Sequence, residues 1–370
     1  MCILHVLSAL HTGGVESMLL NYYAQMNRSK IHFDFVVNRD SIGCLEHQFS
    51  ELGSKIFHIP ALREDRTGHC SAIREIFKSS QYDGIHFHMG FYACFDILLA
   101  KRHLPQSVIY LHSHIAYEPL SPPMKIAKAL LSRKAKRAAD IWCACGIDAG
   151  IYLYGKRAVK SGEVRIIYNA IELKKFQFCE NLRAHYRAEY HLSDKFVLGN
   201  VGRLTYQKNQ VFLLRVFSRV HIILPHSVLI LIGAGEDETL INKLIHESGL
   251  NDCVKVLGAR TDADAFYNAF DLFVLPSRFE GLGITLVEAQ ANGLMSFASE
   301  CVPREVKLTE SIEFLPLQED IWVEKILRFE SLHLNRHNNY DKMKESRYDI
   351  LRESPNLERL YLDSIGRSEA

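Results

Sequence analysis

Two glutamates lie eight positions apart in the segment SRFEGLGITLVEAQANG, with a glycine-rich corner between them. Glu280 precedes Gly281 and Gly283, and Glu288 follows in a stretch with a helical pattern. One interpretation is a ligand site, because a helix start offers backbone amides to an anion. The other is helix capping, since Thr285 and Glu288 fit a capping box in which a first-turn Glu reaches back to the N-cap amide. The segment alone leaves both interpretations open.

Two more polar clusters occur where a predicted strand gives way to a predicted helix. The first is ALHTGGVES, in which Gly13 and Gly14 allow close backbone approach to an anion at the helix start. In the second, GNVGRLTYQKN, Gly202 is followed by Arg203 and Lys208. A guanidinium fork and a mobile ammonium together suit a diphosphate.

An alternating pattern of strands and helices must position these clusters. Short runs rich in β-branched and aromatic residues, such as ILHVLS, FDFVVN and GIHFHM, are separated by helix-length segments. This rhythm favours βαβ units and a parallel sheet. It pauses in the polar stretch 172–195 and restarts with KFVLGNVG. We therefore expect an α/β protein of two doubly wound domains, with ligands bound beyond the carboxyl ends of the strands in a cleft between the domains.

Length and composition agree with a two-domain soluble protein. A chain of 370 residues exceeds the size at which a single core stops growing. We expect an N-terminal domain over 1–175 and a C-terminal domain over 176–354, with a terminal helix over about 355–370 that crosses back. The net charge of +1 gives no global attraction to nucleic acid.

Cysteine usage and hydropathy suggest the compartment. Nine cysteines without framework spacing indicate reduced thiols in the cytoplasm. No segment approaches the length of unbroken apolar sequence that spans a membrane. The N-terminal run CILHVLSAL is typical of a strand rather than of a targeting segment.

These motifs together carry a family resemblance. The segments GGVES, GNVGRLTYQKN, IGAGED, VKVLG and above all LPSRFEGLGITLVEAQANG resemble, end to end, the retaining nucleotide-sugar glycosyltransferases of family 4. That family has the GT-B architecture of two Rossmann-like domains facing across a cleft. The N-terminal half is most similar to the exopolysaccharide and capsule branch, through ILHVLSALHTGGVESMLLNYY and IIYNAIE.

The resemblance implies roles for individual residues. Glu280 would contact hydroxyls of the donor sugar, and Glu288 would hold the ribose hydroxyls of the nucleotide. Arg203 and Lys208 would stabilise the departing phosphate. The implied nucleotide-sugar site comprises Gly13, Gly14, Gly202, Arg203, Lys208, Gly258, Arg260, Glu280, Gly281, Leu282, Gly283, Ile284, Thr285 and Glu288.

The resemblance also implies the reaction. It predicts transfer of a hexose or derivative, with retention of the anomeric configuration, from a nucleotide-diphosphate sugar such as a UDP-sugar. The acceptor would be a glycan or a lipid-linked sugar in cell-surface polysaccharide biosynthesis. Because Arg203, Lys208 and helix amides supply positive charge, no metal or other cofactor is expected. A nucleotide-sugar 2-epimerase of the same architecture is the alternative.

Histidines mark the acceptor side in the N-terminal half. His112 and His114 end a predicted strand in YLHSHIAYE, and the family often has a functional histidine at the position of His112. We take His112 as a catalytic candidate and His114 as the second acceptor-side candidate. His86 and His88 in IHFHMGF are interpreted as structural.

Three motifs suggest other chemistry but have simpler explanations. Asp262 and Asp264 form a DxD pair, and we expect a helix N-cap followed by a first-turn acid. Cys143-Ala-Cys145 and the His-x-His pairs lack a further pair with metal-ligand spacing. GAGED lacks the third glycine of a dinucleotide fingerprint. We therefore predict no metal site and no nicotinamide cofactor.

A basic helix is predicted in the N-terminal half. The segment 121–139 contains six basic residues and no acidic residue. At ~100° per residue, one alanine-rich stripe forms, made of Met124, Ala127, Leu131, Ala135 and Ala138. We expect this stripe to pack on the domain while the cations face anionic lipid, giving peripheral association with the inner face of the cell membrane.

Overall fold

The computed structural model describes residues 1–11, 13–39, 41–332, 336–337 and 339–366. The chain divides into two compact units, Met1–Ile171 with Ile350–Ala370, and Glu172–Asp349. The first boundary therefore lies after Ile171 rather than after residue 175. At the second crossing the backbone N–H of Ile350 donates to the carbonyl of Ile171, at 3.0 Å. This hydrogen bond places the two crossings side by side.

The first unit is built on seven parallel strands. They are β1 Cys2–Leu7, β2 His32–Val37, β3 Ile56–His58, β4 Gly84–Phe87, β5 Val108–Ser113, β6 Ile141–Ala144 and β7 Val164–Ile166. Their order across the sheet is β3-β2-β1-β4-β5-β6-β7. Strands β1, β2, β4 and β5 are buried over almost their whole length, because helices cover both faces of a parallel sheet.

Seven helices connect these strands. They are α1 Gly14–Gln25, α2 Glu46–Glu51, α3 Arg66–Ser79, α4 Cys94–His103, α5 Pro122–Ala138, α6 Ile147–Tyr154 and α7 Lys156–Lys160. A short 3-10 helix, Gly90–Ala93, leads into α4. Two hydrophobic cores result, one on each face of the sheet.

The second unit has a six-stranded parallel sheet. Its strands are β8 Phe196–Val201, β9 Ser227–Ile232, β10 Val254–Val256, β11 Leu272–Leu275, β12 Ser296–Ser299 and β13 Ile312–Leu315, in the order β10-β9-β8-β11-β12-β13. The runs KFVLGNVG, SVLILIGAG, CVKVLG, DLFVLP and MSFAS predict the first five of these strands, and no such run marks β13. Its four residues include the acid Glu313, so the apolar run that marked the other strands is interrupted.

Helices of the second unit follow the same alternation. They are α8 Glu180–Glu189, α9 Gln210–Ile223, α10 Glu238–Glu247, α11 Ala263–Phe266, α12 Ile284–Ala291, α13 Glu319–Ser331 and α14 Tyr340–Lys344. Two 3-10 helices, Leu173–Phe176 and Arg304–Val306, lie among them. The main core packs α9, α10 and α13 against β8, β9 and β11.

The C-terminal helix α15, Ile350–Gly366, belongs to the first unit. It packs against α1 and contributes Leu357, Tyr361 and Ile365 to the core beneath β1 and β2. The helix starts at residue 350 rather than at about 355, and residues 367–370 of the expected span lie outside the described residues. Its Tyr361 reaches the middle of the first sheet.

Each sheet has a switch point, at which the strand order reverses. These points lie between β1 and β4 in the first unit and between β8 and β11 in the second. Ligands of doubly wound sheets bind at such points, beyond the carboxyl ends of the strands. A ligand site is therefore expected in the loops that follow β1, β4, β8 and β11.

The sequence predicted reduced cysteines and no membrane-spanning segment. All nine cysteines are free, as the sequence predicted. Among the described residues, no helix combines the length and the apolar character required to cross a bilayer.

Candidate functional site

An ion pair joins the two loops at the switch point of the second unit. Lys208 lies between β8 and α9, and Glu280 lies between β11 and α12. The Lys208 Nζ and Glu280 Oε1 atoms are 2.6 Å apart, and the side chains are 15% and 6% exposed. Sequence analysis proposed both residues as catalytic candidates, and the structure brings them together.

Neutral side chains fix the Glu280 carboxylate further. The Ser277 hydroxyl donates to Glu280 Oε1 at 2.6 Å, and the Gln207 amide donates to Oε2 at 3.4 Å. Asn209 also donates to the carbonyl of Pro276, which ties the two loops together. Sequence analysis missed Ser277 and Gln207. Their closeness in sequence to Glu280 and Lys208 was the available signal.

Arg203 differs from Lys208 in having no counter-ion among the residues that the structure describes. Its side chain is exposed, and the salt bridges of the described residues do not include it. Gly202 precedes it at φ +155°, and a Cβ there would lie 3.2 Å from the Lys208 stem. Glycine therefore lets the lysine lie across the backbone at the end of β8. One free cation and one paired cation flank the same switch point.

The corner between the glutamates starts helix α12, but not as a capping box. Gly283 is the N-cap residue, with φ +92° and ψ 54°, a left-handed conformation that favours glycine. Thr285 lies inside the helix, and its buried hydroxyl has no hydrogen-bond partner among the described residues. The capping interpretation of Thr285 and Glu288 is therefore wrong. The predicted ligand-contact residues occupy the corner and the first helical turn, namely Gly281, Leu282, Gly283, Ile284 and Thr285.

Glu288 bonds to a tyrosine instead of to the helix start. The Tyr267 hydroxyl donates to Glu288 Oε2 at 2.6 Å. Burial raises the pKa of Glu288 to about 7, against the Tyr267 hydrogen bond, which lowers it. Asp264 raises this pKa further, while Lys175 and Lys208 lower it. A carboxyl group poised near neutrality thus lies one turn inside α12.

The loop after β10 holds two more predicted contacts. Gly258 adopts φ +67° with open space around its Cβ position. Arg260 is paired with Asp262 through two hydrogen bonds, of 2.7 and 2.8 Å. This pairing raises the pKa of Arg260 and lowers that of Asp262. The predicted donor contact of Arg260 is therefore already occupied by an internal partner.

The DxD motif is part of a helix start, as the sequence indicated. Asp262 is the residue before α11 and Asp264 lies in its first turn. The Asp262 carboxylate does not cap the helix, because it binds Arg260 and the Tyr186 hydroxyl. Asp264 pairs with Lys175 at 3.4 Å.

In the first unit, Gly13 and Gly14 form the start of α1 after β1. Gly13 is the N-cap residue, and a Cβ there would collide with the Glu16 carboxylate. Gly14 faces the side chain of Asn169. An acid thus lies over the first turn at the place where the sequence predicted contact with an anion.

Five histidines from three adjacent strands form one buried cluster. His5 on β1 pairs in register with His86 on β4, and His88 follows β4. His112 is the penultimate residue of β5, and His114 directly follows the strand. Adjacent rings stack with centroids 3.9–5.4 Å apart, as in the His112–His114 and His5–His86 pairs. Sequence analysis treated the two His-x-His pairs separately and missed His5.

Burial dominates the titration of this histidine cluster. It lowers the pKa of His5, His86, His88 and His112 well below the ordinary value, and neighbouring imidazoles lower it further. Burial lowers the pKa of His114 to about 3. All five rings are therefore neutral at physiological pH.

Neutral histidines are common metal ligands, and some side chains of the described residues lie close enough together to share a metal ion. Three groups of described residues place three ligand atoms within 4.8 Å of one another: His5 with His86 and His88, His88 with His112 and His114, and Cys2 with His32 and Asp34. In each histidine group two ring nitrogens already bond to each other, His5 with His88 at 3.0 Å and His88 with His114 at 2.9 Å. His86 bonds to His112 of the other group at 3.1 Å. These contacts are hydrogen bonds, which use the lone pairs that a metal would need.

Two family models match the chain, one for each unit. The model for Glycosyltransferase Family 4 matches residues 12–175. The model for Glycosyl transferases group 1 matches residues 183–340, which contain Lys208, Glu280 and Glu288. Together they cover most of both sheets.

Named relatives and solved structures extend the match. The chain is 31% identical over 336 residues to EpsF of Bacillus subtilis, a protein with a glycosyltransferase name, covering 88% of this chain and 87% of EpsF. It is 27% identical over 237 residues to the Escherichia coli UDP-Gal:alpha-D-GlcNAc-diphosphoundecaprenol alpha-1,3-galactosyltransferase, covering 62% of this chain and 60% of that protein.

A solved structure shows the same fold. Anabaena HepE in complex with UDP-glucose superposes with a TM-score of 0.80 at 19% identity, covering 98% of this chain and all of HepE (100%). The two parallel sheets of this chain are accordingly the two Rossmann-like domains of the GT-B architecture. On the evidence of both family models and of the EpsF match, the chain belongs to the family 4 glycosyltransferases.

Proposed function

We propose that this glycosyltransferase moves a hexose or a hexose derivative from a UDP-sugar to a lipid-linked sugar or glycan, with retention of anomeric configuration and without a metal ion. The observation that carries the proposal is the pairing of Lys208 with Glu280 at the switch point of the second unit, with the unpaired Arg203 on the same loop. A nucleotide-sugar donor needs cations next to its diphosphate and a carboxylate next to its sugar hydroxyls. Lys208 and Arg203 would supply the cations, and Glu280 the carboxylate.

Charge balance explains how the two loops would act on a donor. Departure of a nucleoside diphosphate leaves additional negative charge on its terminal phosphate. Arg203 is free to meet that charge, and Lys208 can turn from Glu280 toward it. The N-terminus of α12 adds the positive end of a helix dipole. Arg203 and the helix start need no internal partner to be broken, and such preorganised positive groups stabilise a transition state at little reorganisation cost. Lys208 must first leave Glu280.

The carboxylates would then hold the two polyol parts of the donor. Glu280, held by the Ser277 hydroxyl, accepts hydrogen bonds from hydroxyls of the transferred sugar. Glu288 accepts hydrogen bonds from the ribose when it is ionised. In the reaction the bond between the anomeric carbon and the phosphate oxygen breaks, and a bond to the acceptor oxygen forms on the same face. The acceptor proton passes to the leaving phosphate.

The names of two similar proteins support the substrate classes. The Escherichia coli relative is named for a UDP-galactose donor and a diphosphoundecaprenol-linked acceptor, and the HepE structure contains UDP-glucose. We therefore assign UDP-sugars as donors and lipid-diphosphate-linked sugars as acceptors, in cell-surface polysaccharide biosynthesis. The acceptor would bind in the first unit, where His112 and His114 lie.

Helix α5 supports work at a membrane surface in the cytoplasm. The expected stripe is half-buried to buried, with Ala135 fully buried, and α5 packs on α4. On the other side Ile126 and Leu130 are 66% and 60% exposed. Exposed cations accompany them at Lys125, Arg133, Lys134 and Arg137. Lys128 is an exception, because its ammonium lies 3.0 Å from the centre of the Tyr152 ring.

The test is a donor panel. Purified protein is incubated with UDP- and GDP-sugars and a lipid-diphosphate-linked N-acetylglucosamine acceptor, and release of nucleoside diphosphate is measured with and without EDTA. We expect acceptor-dependent release of UDP that survives EDTA. A requirement for Mn²⁺ or Mg²⁺ would contradict the metal-free mechanism. Conversion of the donor into its 2-epimer without an acceptor would contradict transfer itself.

A matched pair of variants locates the activity. Glu280→Gln should abolish UDP release, whereas Glu324→Gln, an exposed acid on α13, should leave it unchanged. Both variants should remain folded. Normal turnover by Glu280→Gln would mean that the donor site lies elsewhere.

A further inference from the structure

The histidine cluster is organised as two separate chains of hydrogen bonds. In the first, the Tyr361 hydroxyl meets His86 Nδ1 at 2.7 Å, and His86 Nε2 meets His112 Nδ1 at 3.1 Å. In the second, His5 Nδ1 meets His88 Nε2 at 3.0 Å, and His88 Nδ1 meets His114 Nε2 at 2.9 Å. The first chain connects helix α15 with the end of β5.

Each chain has a direction, because a neutral imidazole carries one N–H. One ring nitrogen donates and the other accepts. Once the proton on any ring is placed, every other proton in the same chain is placed too. The first chain runs through fully buried rings, with His86 at 1% and His112 at 0% exposure, so it is shielded from water. In the second chain His5 and His88 are buried, whereas His114 is only partly buried.

Tyr361 sets the direction of the first chain. Its hydroxyl is fully buried, burial raises its pKa well above the ordinary value, and it therefore keeps its proton. A phenol is a better donor than an imidazole N–H, and an imidazole nitrogen is a better acceptor than a phenol oxygen. The 2.7 Å spacing is also typical of a hydroxyl donor, since N–H donors prefer about 2.9–3.0 Å.

We propose that Tyr361 and His86 are positioning residues that hold His112 as the Nε2–H tautomer. The Tyr361 hydroxyl donates to His86 Nδ1, so the proton of His86 is on Nε2 and is donated to His112 Nδ1. The single proton of His112 must then be on Nε2. That atom is buried and has no hydrogen-bond partner among the described residues. His112 therefore carries a buried N–H that has no acceptor among the described residues.

The second chain lacks such an anchor. His5 Nε2 and His114 Nδ1, its two ends, both lack partners within the described residues. Nothing at either end favours one direction, so His114 can present a donor or an acceptor. The two strand-end histidines thus differ in character although they are only two residues apart.

The consequence for the reaction rests on the proposed glycosyl transfer. A fixed Nε2–H suits a sugar hydroxyl oxygen or a phosphate oxygen, and it excludes His112 from accepting the acceptor's proton at that nitrogen. His112 then stabilises charge or orients the sugar and does not act as a general base. This role differs from that of the usual catalytic histidine, which accepts a proton.

The tautomer can be measured directly by ¹⁵N NMR of histidine-labelled protein without substrate. Protonated and unprotonated ring nitrogens have well-separated shifts, and single His→Gln variants assign them. We expect His86 and His112 to be almost completely Nε2–H in the wild-type protein. Tyr361→Phe should produce a measurable Nδ1–H fraction at both rings. An Nδ1–H form of His112 in the wild-type protein, or unchanged fractions in Tyr361→Phe, would overturn the proposal.

Tyr110→Phe is the matched control. Tyr110 stacks edge-on against Tyr361 and bonds Ser364 on the same helix, but it is not part of the chain. Tyr110→Phe should leave the tautomers of His86 and His112 unchanged. A change as large as that in Tyr361→Phe would mean that lost packing, and not the lost hydrogen bond, shifts the tautomers. Because the readout needs no turnover, failure of the tautomer assignment and failure of the glycosyltransfer proposal are distinguishable.

Discussion

Lys208 and Glu280, 72 residues apart in sequence, form a 2.6 Å ion pair between the loops that follow β8 and β11. The pair lies at the switch point of its sheet and is mostly shielded from water. It is therefore both a structural link and the centre of the proposed donor site, and the two roles predict different responses to mutation.

The first prediction separates stability from activity at this pair. Lys208→Met leaves a shielded carboxylate without its cation and should lower the free energy of unfolding by about 3 kcal/mol. The double variant Lys208→Met/Glu280→Gln should recover most of that stability, measured by urea denaturation. All of these variants should lose transfer by about 10²-fold or more, because each removes a charged group from the reacting centre.

An exposed pair provides the control. Lys243 and Glu247, 3.7 Å apart on α10, are 67% and 55% exposed. Lys243→Met should change stability by less than about 0.5 kcal/mol and leave activity intact. Additive losses in the Lys208/Glu280 double variant would show that the two residues do not interact.

The second prediction concerns Glu288. Because its pKa is about 7, the carboxyl group changes charge in the neutral range, and only the ionised form accepts hydrogen bonds from both ribose hydroxyls. Affinity for UDP, measured by calorimetry, should therefore rise between pH 6 and 8. Tyr267→Phe should move the midpoint to higher pH, since the Tyr267 hydrogen bond lowers this pKa. Glu288→Gln should lose this pH dependence, and a wild-type affinity that is flat over the range would contradict the assigned role.

Glu288 also has a defined effect on stability. Its folded pKa lies above the ordinary value of 4.5, so the folded state binds the extra proton between pH 4.5 and about 7. Its contribution to the free energy of unfolding therefore falls as pH rises through that window.

The third prediction concerns the buried histidines, for which the sign is opposite. Their pKa values are lowered, so the unfolded state takes up protons below about pH 6.5 while the folded state does not. Each buried histidine should lower the free energy of unfolding by ~1.4 kcal/mol for each pH unit below that value. His69 has the opposite effect on stability. Burial lowers its pKa, but Asp96, bonded at 2.8 Å, raises it, and the resulting pKa lies above the ordinary value.

Urea denaturation between pH 7.5 and 5.5 checks this prediction. Stability should fall steeply toward pH 5.5, and His86→Gln should lessen the slope. His47→Gln, at an 82% exposed position, should not change it. Histidine NMR signals from the cluster that titrate near pH 6.5 in the folded protein would contradict the account.

The fourth prediction concerns membrane attachment through α5. Binding to anionic vesicles in a co-sedimentation assay should weaken with added salt, and it should fall roughly a hundredfold when Arg133, Lys134 and Arg137 are changed to Gln, at about 1 kcal/mol per cation. Lys136 is omitted because it is half-buried. Changing Arg215, Arg219 and Lys243 of the second unit to Gln is the control. Equal binding to neutral vesicles, or none to anionic ones, would contradict the prediction.

Local patterns in the sequence were sufficient for most of the fold. Runs such as FDFVVN and KFVLGNVG predicted β2 and β8, because buried parallel strands are rich in apolar and β-branched residues. The acid in β13 hid that strand. The rule that ligands bind beyond the carboxyl ends of parallel strands also predicted that Lys208 and Glu280 share one site.

Contacts between distant segments could not be predicted in the same way. The Tyr361–His86 hydrogen bond joins residues 275 positions apart, and no local pattern marks Tyr361. The helix start at Gly283 was misjudged for a related reason, since its left-handed conformation removes Thr285 from the N-cap position. One local contact was overlooked as well, since Asp262, two residues from Arg260, binds the guanidinium to which the resemblance gave a donor contact.

The most direct test of the central claim is a ¹H NMR time course of the UDP-sugar identified by the donor panel, with the lipid-diphosphate-linked acceptor of that panel. The account predicts that the anomeric signal of the donor disappears while a glycosidic signal with the same anomeric coupling appears, in a one-to-one ratio with released UDP, and that Glu280→Gln abolishes both. A product with the opposite anomeric coupling would contradict retention. A donor that changes configuration at carbon 2 while its diphosphate stays attached would contradict glycosyl transfer.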